Sequence, residues 1–256
     1  MLGAELICAV FLVGGTLAAP SGPAVAAPVT VTQPAPAART VLMPDGRSAQ
    51  LVDLGAPGGG VLLDRVSAEL PGAIGAVDGF WGPGWRRDIS IAVAGSPEQF
   101  LVLGGGGPDI AATSTTERIM FSPGATAMTD ADLRTVLRHE LFHYAARADT
   151  AVDAPVWLTE GVADYVGRPA PATAIPAPTS LPTDAELATP GPERSAGYDR
   201  AWEFASYIAD TYGAEKLRAL YLAACGHGHA DVATAVRNAL GVDLPEVLAG
   251  QRGSRG

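Results

Sequence analysis

Two histidines four residues apart, with a glutamate beside the first, constrain this chain more than any other feature. The string His139-Glu140-Leu141-Phe142-His143 gives its residues a common purpose only if the backbone there is helical. Positions i and i+4 lie one above the other on a helix of 3.6 residues per turn, so the two imidazoles project toward one point. Glu140 is rotated only part of a turn from that pair and can bring a carboxylate to a water at the same point. The flanks supply the helix. Thr129-Asp130-Ala131-Asp132 has the form of an N-cap with acids in the first turn. Leu133, Leu137, Leu141 and Tyr144 then recur at helical spacing and give a core face. The pattern predicts a metal-carrying helix over residues 130–148. The plain alternative is a surface helix whose two histidines share a side by accident.

A catalytic zinc takes three protein ligands and keeps one position for water. The candidate for the third comes soon after, in a segment punctuated as a second helix over 155–166. Asp153 or Ala154 would cap it, Pro155 suits its first turn and Gly167 its end. Glu160 and Asp164 are four apart and share one side, and Trp157, a turn before Glu160, would help to wall the site. An ordinary surface carboxylate is the competing reading of Glu160.

Taken together, His139-Glu140-x-x-His143 and Trp157-Leu158-x-Glu160-Gly161-x-Ala163-Asp164-Tyr165 resemble the gluzincin metallopeptidases, in particular their small peptidase MA-like branch. The resemblance implies Zn²⁺ held by His139, His143 and Glu160, with Glu140 as the general base. It also places Asp164 against the free ring N–H of His139, a contact that fixes the tautomer and direction of a ligating imidazole. Sixteen residues separate His143 from Glu160, a short spacing that suits the small branch. The implied fold is α+β and zincin-like: an N-terminal mixed-sheet lobe with the active-site helix, a helical C-terminal lobe, and a zinc cleft between them. The strand just before the metal helix, read at Arg118–Pro123, would then be an edge strand offering its main chain to an extended peptide. A plain sheet strand is the other reading. The Gly-x-Met-Glu-Asn motif of the aminopeptidase branch is absent upstream, where Gly104 to Gly107 stands without an acid. The expectation is therefore an endopeptidase. Tyr198, near the start of an aromatic helix that ends Tyr212-Gly213, is similar to the family's tyrosine donor for the oxyanion. A tyrosine that only staples its helix is the alternative. His227 and His229, in the turn-like Gly226-His227-Gly228-His229, are the other candidate donors and read more simply as exposed loop histidines.

Composition narrows the partners. The net charge is -10, with a single lysine, Lys216, and dispersed arginines, so no basic stripe offers itself to nucleic acid. The expected partner is a peptide or protein substrate, met by a monomer. The apolar run Leu6 to Ala19 is too short for a comfortable membrane span, and Ala24-Val25-Ala26 offers a small-x-small cleavage site. Residues 1–26 read as an export signal, although no basic residue precedes the run and Glu5 stands there, which leaves a membrane-anchored form open. Loss of that segment removes Cys8 and leaves Cys225 without a disulfide partner, a small hydrophobe in an apolar stretch.

The chain then divides into a Pro/Ala-rich tether (27–38), a catalytic domain (39–250) and a frayed tail (251–256). Within the domain the sheet-bearing part runs to 167, a proline-rich loop spans 168–197 with a short helix at 184–187, and helices fill 198–250. Expected elements of the first part are a hairpin about Asp45-Gly46, a helix over 60–77, a strand at 88–93 and a short helix from 96 to 103. One rival function belongs to another class: an exported zinc-fold binding module with little turnover. Glu140 argues against it, because a binding site has no use for a base beside the metal.

Overall fold

The computed structural model describes residues 37–250. The proposed export signal, most of the tether and the tail fall outside them. The first strand, β1 (Ala37–Leu42), begins inside the segment read as tether and pairs antiparallel with β2 (Ser48–Asp53). Their turn needs Gly46, whose φ is +85°, and is closed by Met43 N–H donating to Arg47 O at 2.8 Å. From β2 the chain crosses through α1 (Gly59–Trp81) to β3 (Asp88–Val93), which lies parallel to β2. A crossover helix is what a parallel pair requires. The apolar spacing of α1 puts Leu62, Leu63, Val66, Leu70, Ile74, Val77 and Trp81 on one buried stripe.

A short helix, α2 (Pro97–Gly104), is capped by Ser96 Oγ, which accepts from Gln99 N–H. Two three-residue strands follow: β4 (Ala112–Ser114) and β5 (Ile119–Phe121). The sheet order is β1-β2-β3-β5-β4, with β5 parallel to β3 and antiparallel to β4. This corrects the expected edge strand. The strand before the metal helix is interior, and the edge belongs to β4, which is too short to announce itself by alternation.

Beyond β5 the described chain is mostly helical. α3 (Asp130–Ala146) is capped by Thr129, whose hydroxyl accepts from Asp132 N–H, and it buries Leu133, Leu137, Leu141 and Tyr144 as its spacing predicts. A 3₁₀ turn (Arg147–Asp149) leads to α4 (Val156–Gly167). Neither Asp153 nor Ala154 caps α4. Its N-cap is Pro155, and the carboxylate of Asp184 reaches in to accept from Trp157 N–H at 2.9 Å. Asp184 itself opens α5 (Asp184–Ala188), which carries a reciprocal Thr183–Glu186 capping box.

α6 (Pro192–Tyr212) starts before Tyr198, so the proline-rich loop closes at Gly191 instead of running to 197. α7 (Ala214–Cys225), α8 (Val232–Leu240) and α9 (Leu244–Leu248) complete the described chain. α3 packs against α1 on one side and α4 on another, and α4 lies along α6. That last contact is tight: a Cβ on Gly161 would sit 2.4 Å from Ala201 O. Phe142, Trp81 and Tyr221 meet edge-to-face at centroid distances of 5.3 to 5.6 Å and lock α3, α1 and α7 together. Among the described residues no helix is long and apolar enough to cross a membrane.

Candidate metal centre

The helical spacing of α3 sets His139 and His143 on its α4-facing side, with Nε2 atoms 3.1 Å apart. Glu160, from the middle of α4, closes a triangle with them. Its Oε2 lies 3.2 Å from His139 Nε2 and its Oε1 lies 3.4 Å from His143 Nε2. All three side chains are buried, and no donor hydrogen-bonds either Glu160 oxygen. A buried carboxylate without a donor is costly unless something positive completes it. The spacing suits a metal ion. Ligands at about 2.0–2.1 Å in a tetrahedral arrangement stand about 3.3 Å from one another, and the three separations here are 3.1, 3.2 and 3.4 Å. Two imidazoles and one carboxylate form a donor set that fits zinc.

Asp164, one turn after Glu160 on α4, accepts from His139 Nδ1–H at 2.8 Å. That leaves Nε2 of His139 as the nitrogen turned toward His143 and Glu160. Asp164 is in turn held by Arg168 at 2.7 Å, and Arg168 also grips Asp199 at 2.7 Å and lies over the ring of Trp202. Sequence reasoning missed Arg168. The Asp164/Arg168 i, i+4 spacing on a helix was the signal available. Gly167 is also constrained, since a Cβ there would fall 2.9 Å from Thr135 O and 3.2 Å from His139 Cβ.

Electrostatics follow from this packing. Burial drives the His139 imidazole toward its neutral form, but the hydrogen bond to Asp164 and the close Glu160 carboxylate outweigh it and hold its pKa up to about 10. For His143 burial dominates and keeps the pKa below the usual value. Burial would raise Glu160, yet the attraction of His143 and the contacts with both imidazoles bring it down to about 2. Without metal, His139 is thus held toward its protonated form and Glu160 toward its ionised one.

Glu140 has no solvent exposure. Arg147, one turn beyond His143, feels the attraction of both Glu140 and Glu160, although burial sets the direction of its shift and lowers its pKa. Beside His143 lies a small cavity of about 30 Å³, enough for water. Arg147, Thr150, Thr159 and Tyr221 are among the residues that line it. The Tyr221 hydroxyl is 2.8 Å from Thr150 Oγ1, and burial raises its pKa.

Tyr221 was not singled out in the sequence, where it sits inside the apolar Leu220-Tyr221-Leu222 of α7 and looks like core. Tyr198 is buried in the second turn of α6 and is absent from the lining of that cavity. Trp157 packs edge-to-face on Phe204 at 5.3 Å, joining α4 to α6, and does not line that cavity either. His227 and His229 stand in the turn after α7 beside the α3–α4 connection, where His227 Nε2 meets Ala148 O at 3.1 Å and His229 Nε2 lies 3.4 Å from Asp153. Cys225 is fully buried, and burial pushes its thiol up.

Neither a family model nor a curated protein matches the sequence. Among solved structures, the fold is similar to a mutant of the M1 zinc metallopeptidase from Deinococcus radiodurans, at 16% identity and a TM-score of 0.47. The match covers 86% of this chain and 53% of that one, so the chain spans about half the length of the protein it resembles.

Proposed function

We propose that this chain is a zinc-dependent peptidase. The observation that carries the reading is a buried His139–His143–Glu160 triangle with a second glutamate, Glu140, on the same helix and equally withdrawn from solvent. Zinc held by the triangle would polarise a substrate carbonyl and lower the pKa of water to about 7. The rest falls to the chain. Asp164, braced by Arg168, holds His139 in one tautomer with Nε2 directed at the triangle. Glu140 accepts a proton from the attacking water and returns it to the leaving amine. A tyrosine hydroxyl donates to the carbonyl oxygen as negative charge develops there. The resemblance suggested Tyr198 for that donor; the place of Tyr221 beside His143 supports Tyr221. We read the sheet-bearing part and the helical part as the two walls of a peptide cleft. Cleavage within chains is proposed over trimming of N-termini, because no amine-binding motif precedes His139. Export is proposed from residues 1–26 and is tested by N-terminal sequencing of protein recovered outside the cell.

The deciding measurement is mass-spectrometric profiling of peptide libraries with and without a zinc chelator. We expect chelator-sensitive internal cleavage. In Glu140→Gln, with zinc content unchanged by elemental analysis, the rate should fall about 10²- to 10⁴-fold. Tyr221→Phe should lose about 10²-fold or more, the scale of a missing oxyanion donor, while Tyr198→Phe stays near wild type. Full activity in zinc-loaded Glu140→Gln would sink the mechanism. A binding module with little turnover is favoured by one observation, the closure of the site, where Glu140 and Glu160 have no exposure. Absence of any cleaved peptide from the zinc-loaded wild type would select that second reading.

A further inference from the structure

A cleft of about 610 Å³ shares Arg147 with the small cavity beside His143. Its walls are the end of α1, the turn into β3, the β4–β5 turn, the end of α3 and the first half of α7, and three of its lining residues are Arg86, Arg147 and Arg218. None of the three makes an ion pair within the described residues. Their guanidinium groups are instead positioned by carbonyls and rings. Arg86 donates to Thr116 O at 2.9 Å and lies over Tyr144, Arg147 donates to Ser114 O at 2.8 Å, and Arg218 lies over Trp81. Asp149 is the one carboxylate in the lining. A chain with 27 acidic and 17 basic residues has carboxylates to spare for its arginines. Three arginines without an ion-pair partner, gathered in a single cleft, two of them against rings and Arg147 on a carbonyl, make a pre-oriented anion site.

Arg147 connects this cleft to the chemistry. It lines both the cleft and the small cavity beside His143. We propose that the cleft is a substrate subsite for a carboxylate carried on an extended peptide, whose neighbouring amide reaches the His143 cavity past Arg147. The carboxylate comes from an acidic side chain or from the peptide's own C-terminus, and both offer the same planar acceptor to the guanidinium fork. This subsite rests on the peptidase reading. The purely structural account is that the arginines neutralise the carbonyl ends of α1 and α3. That account predicts a loss of stability on their removal and no change in selectivity.

Binding is measured by calorimetry on zinc-loaded Glu140→Gln, so that the readout does not depend on turnover. The probes are N-acetylated, C-amidated hexaalanine peptides with one Glu or one Gln, and the N-acetylated hexaalanine free acid. At least one carboxylate peptide should bind about tenfold tighter than the neutral Gln peptide, and the advantage should shrink with added salt. Adding Arg86→Gln or Arg218→Gln, both at exposed positions, should erase most of that advantage, and Arg218→Lys should keep part of it. Whether the Glu peptide or the free acid gains identifies the source of the carboxylate. Equal binding of all three peptides, or no binding, overturns the subsite, as does a preference that survives both Arg→Gln changes. The two proposals fail separately. Carboxylate-selective binding without cleavage by the wild type removes the peptidase and leaves the site, whereas chelator-sensitive cleavage without selectivity does the reverse.

Discussion

His139 has two ring nitrogens with different duties. Nδ1–H donates a hydrogen bond to Asp164, and Nε2 faces His143 and Glu160. Without metal, that geometry stores a proton. With a pKa of about 10, raised from an unfolded value of about 6.5, the His139 imidazolium adds stability that is complete below pH 6.5 and lost as pH rises through about 10. Glu160 works in the other direction. Its pKa is depressed to about 2, so its contribution is complete above its unfolded pKa and lost as pH falls through about 2. His143, lowered, is already neutral at pH 7. A divalent ion must therefore expel one proton, the one on His139. Titration calorimetry in two buffers of different ionisation enthalpy should show about one proton released per zinc at pH 7, with apparent affinity rising about tenfold per pH unit from 7 to 9. A pH-independent affinity across that range would contradict the paired arrangement.

At the scale of elements, the site is a product of how α4 meets its neighbours. Glu160 and Asp164 reach α3 because α4 can lie close to α6, and Gly161 permits that approach by lacking a Cβ against Ala201 O. Gly161→Ala should cost about 1–3 kcal/mol of folding stability, the range for overfilling a packed contact. It should also weaken zinc binding, because the displaced helix carries the proposed ligand Glu160. Urea unfolding of the metal-free protein and competition with a chromophoric chelator read the two effects separately. Unchanged zinc affinity alongside lost stability would show that α4 yields without moving Glu160. The start of α4 shows why local reading fell short. Asp153 has the right residue type in the right place for a cap, yet Asp184, far along the chain, does the capping. A carboxylate folded back from a distant segment leaves no mark in local spacing.

For the whole molecule, the metal should act as a fastener as well as a reagent. The triangle joins α3 to α4, and α3 packs against α1 and β4 while α4 packs on α6. An ion that binds the folded chain and not the unfolded one stabilises it by about 2.7 kcal/mol when present at a hundred times its Kd. For a domain of this size that corresponds to a rise of about 5–10 °C in Tm, lost on chelation and restored by zinc. Differential scanning fluorimetry measures it. The same shift should persist in Glu140→Gln and disappear in Glu160→Ala, since only Glu160 is among the proposed ligands. A Tm indifferent to chelation would mean that the triangle holds no ion in the folded protein.

What the sequence determined by itself was what short-range periodicity can carry. The i, i+4 histidines, the Thr129 cap and the apolar stripe of α3 act within a few turns of one helix, so their geometry follows from helix pitch alone. The spacing of β1, β2, β3 and α1 was legible for the same reason. The tertiary structure decided everything that depends on chains meeting from afar: β4 taking the sheet edge, Asp184 capping α4, Tyr221 brought beside His143, and Arg86, Arg147 and Arg218 gathered around one cleft. Each of those residues looks ordinary among its neighbours in sequence. Its role comes from the direction in which packing points it, and no local pattern encodes that direction.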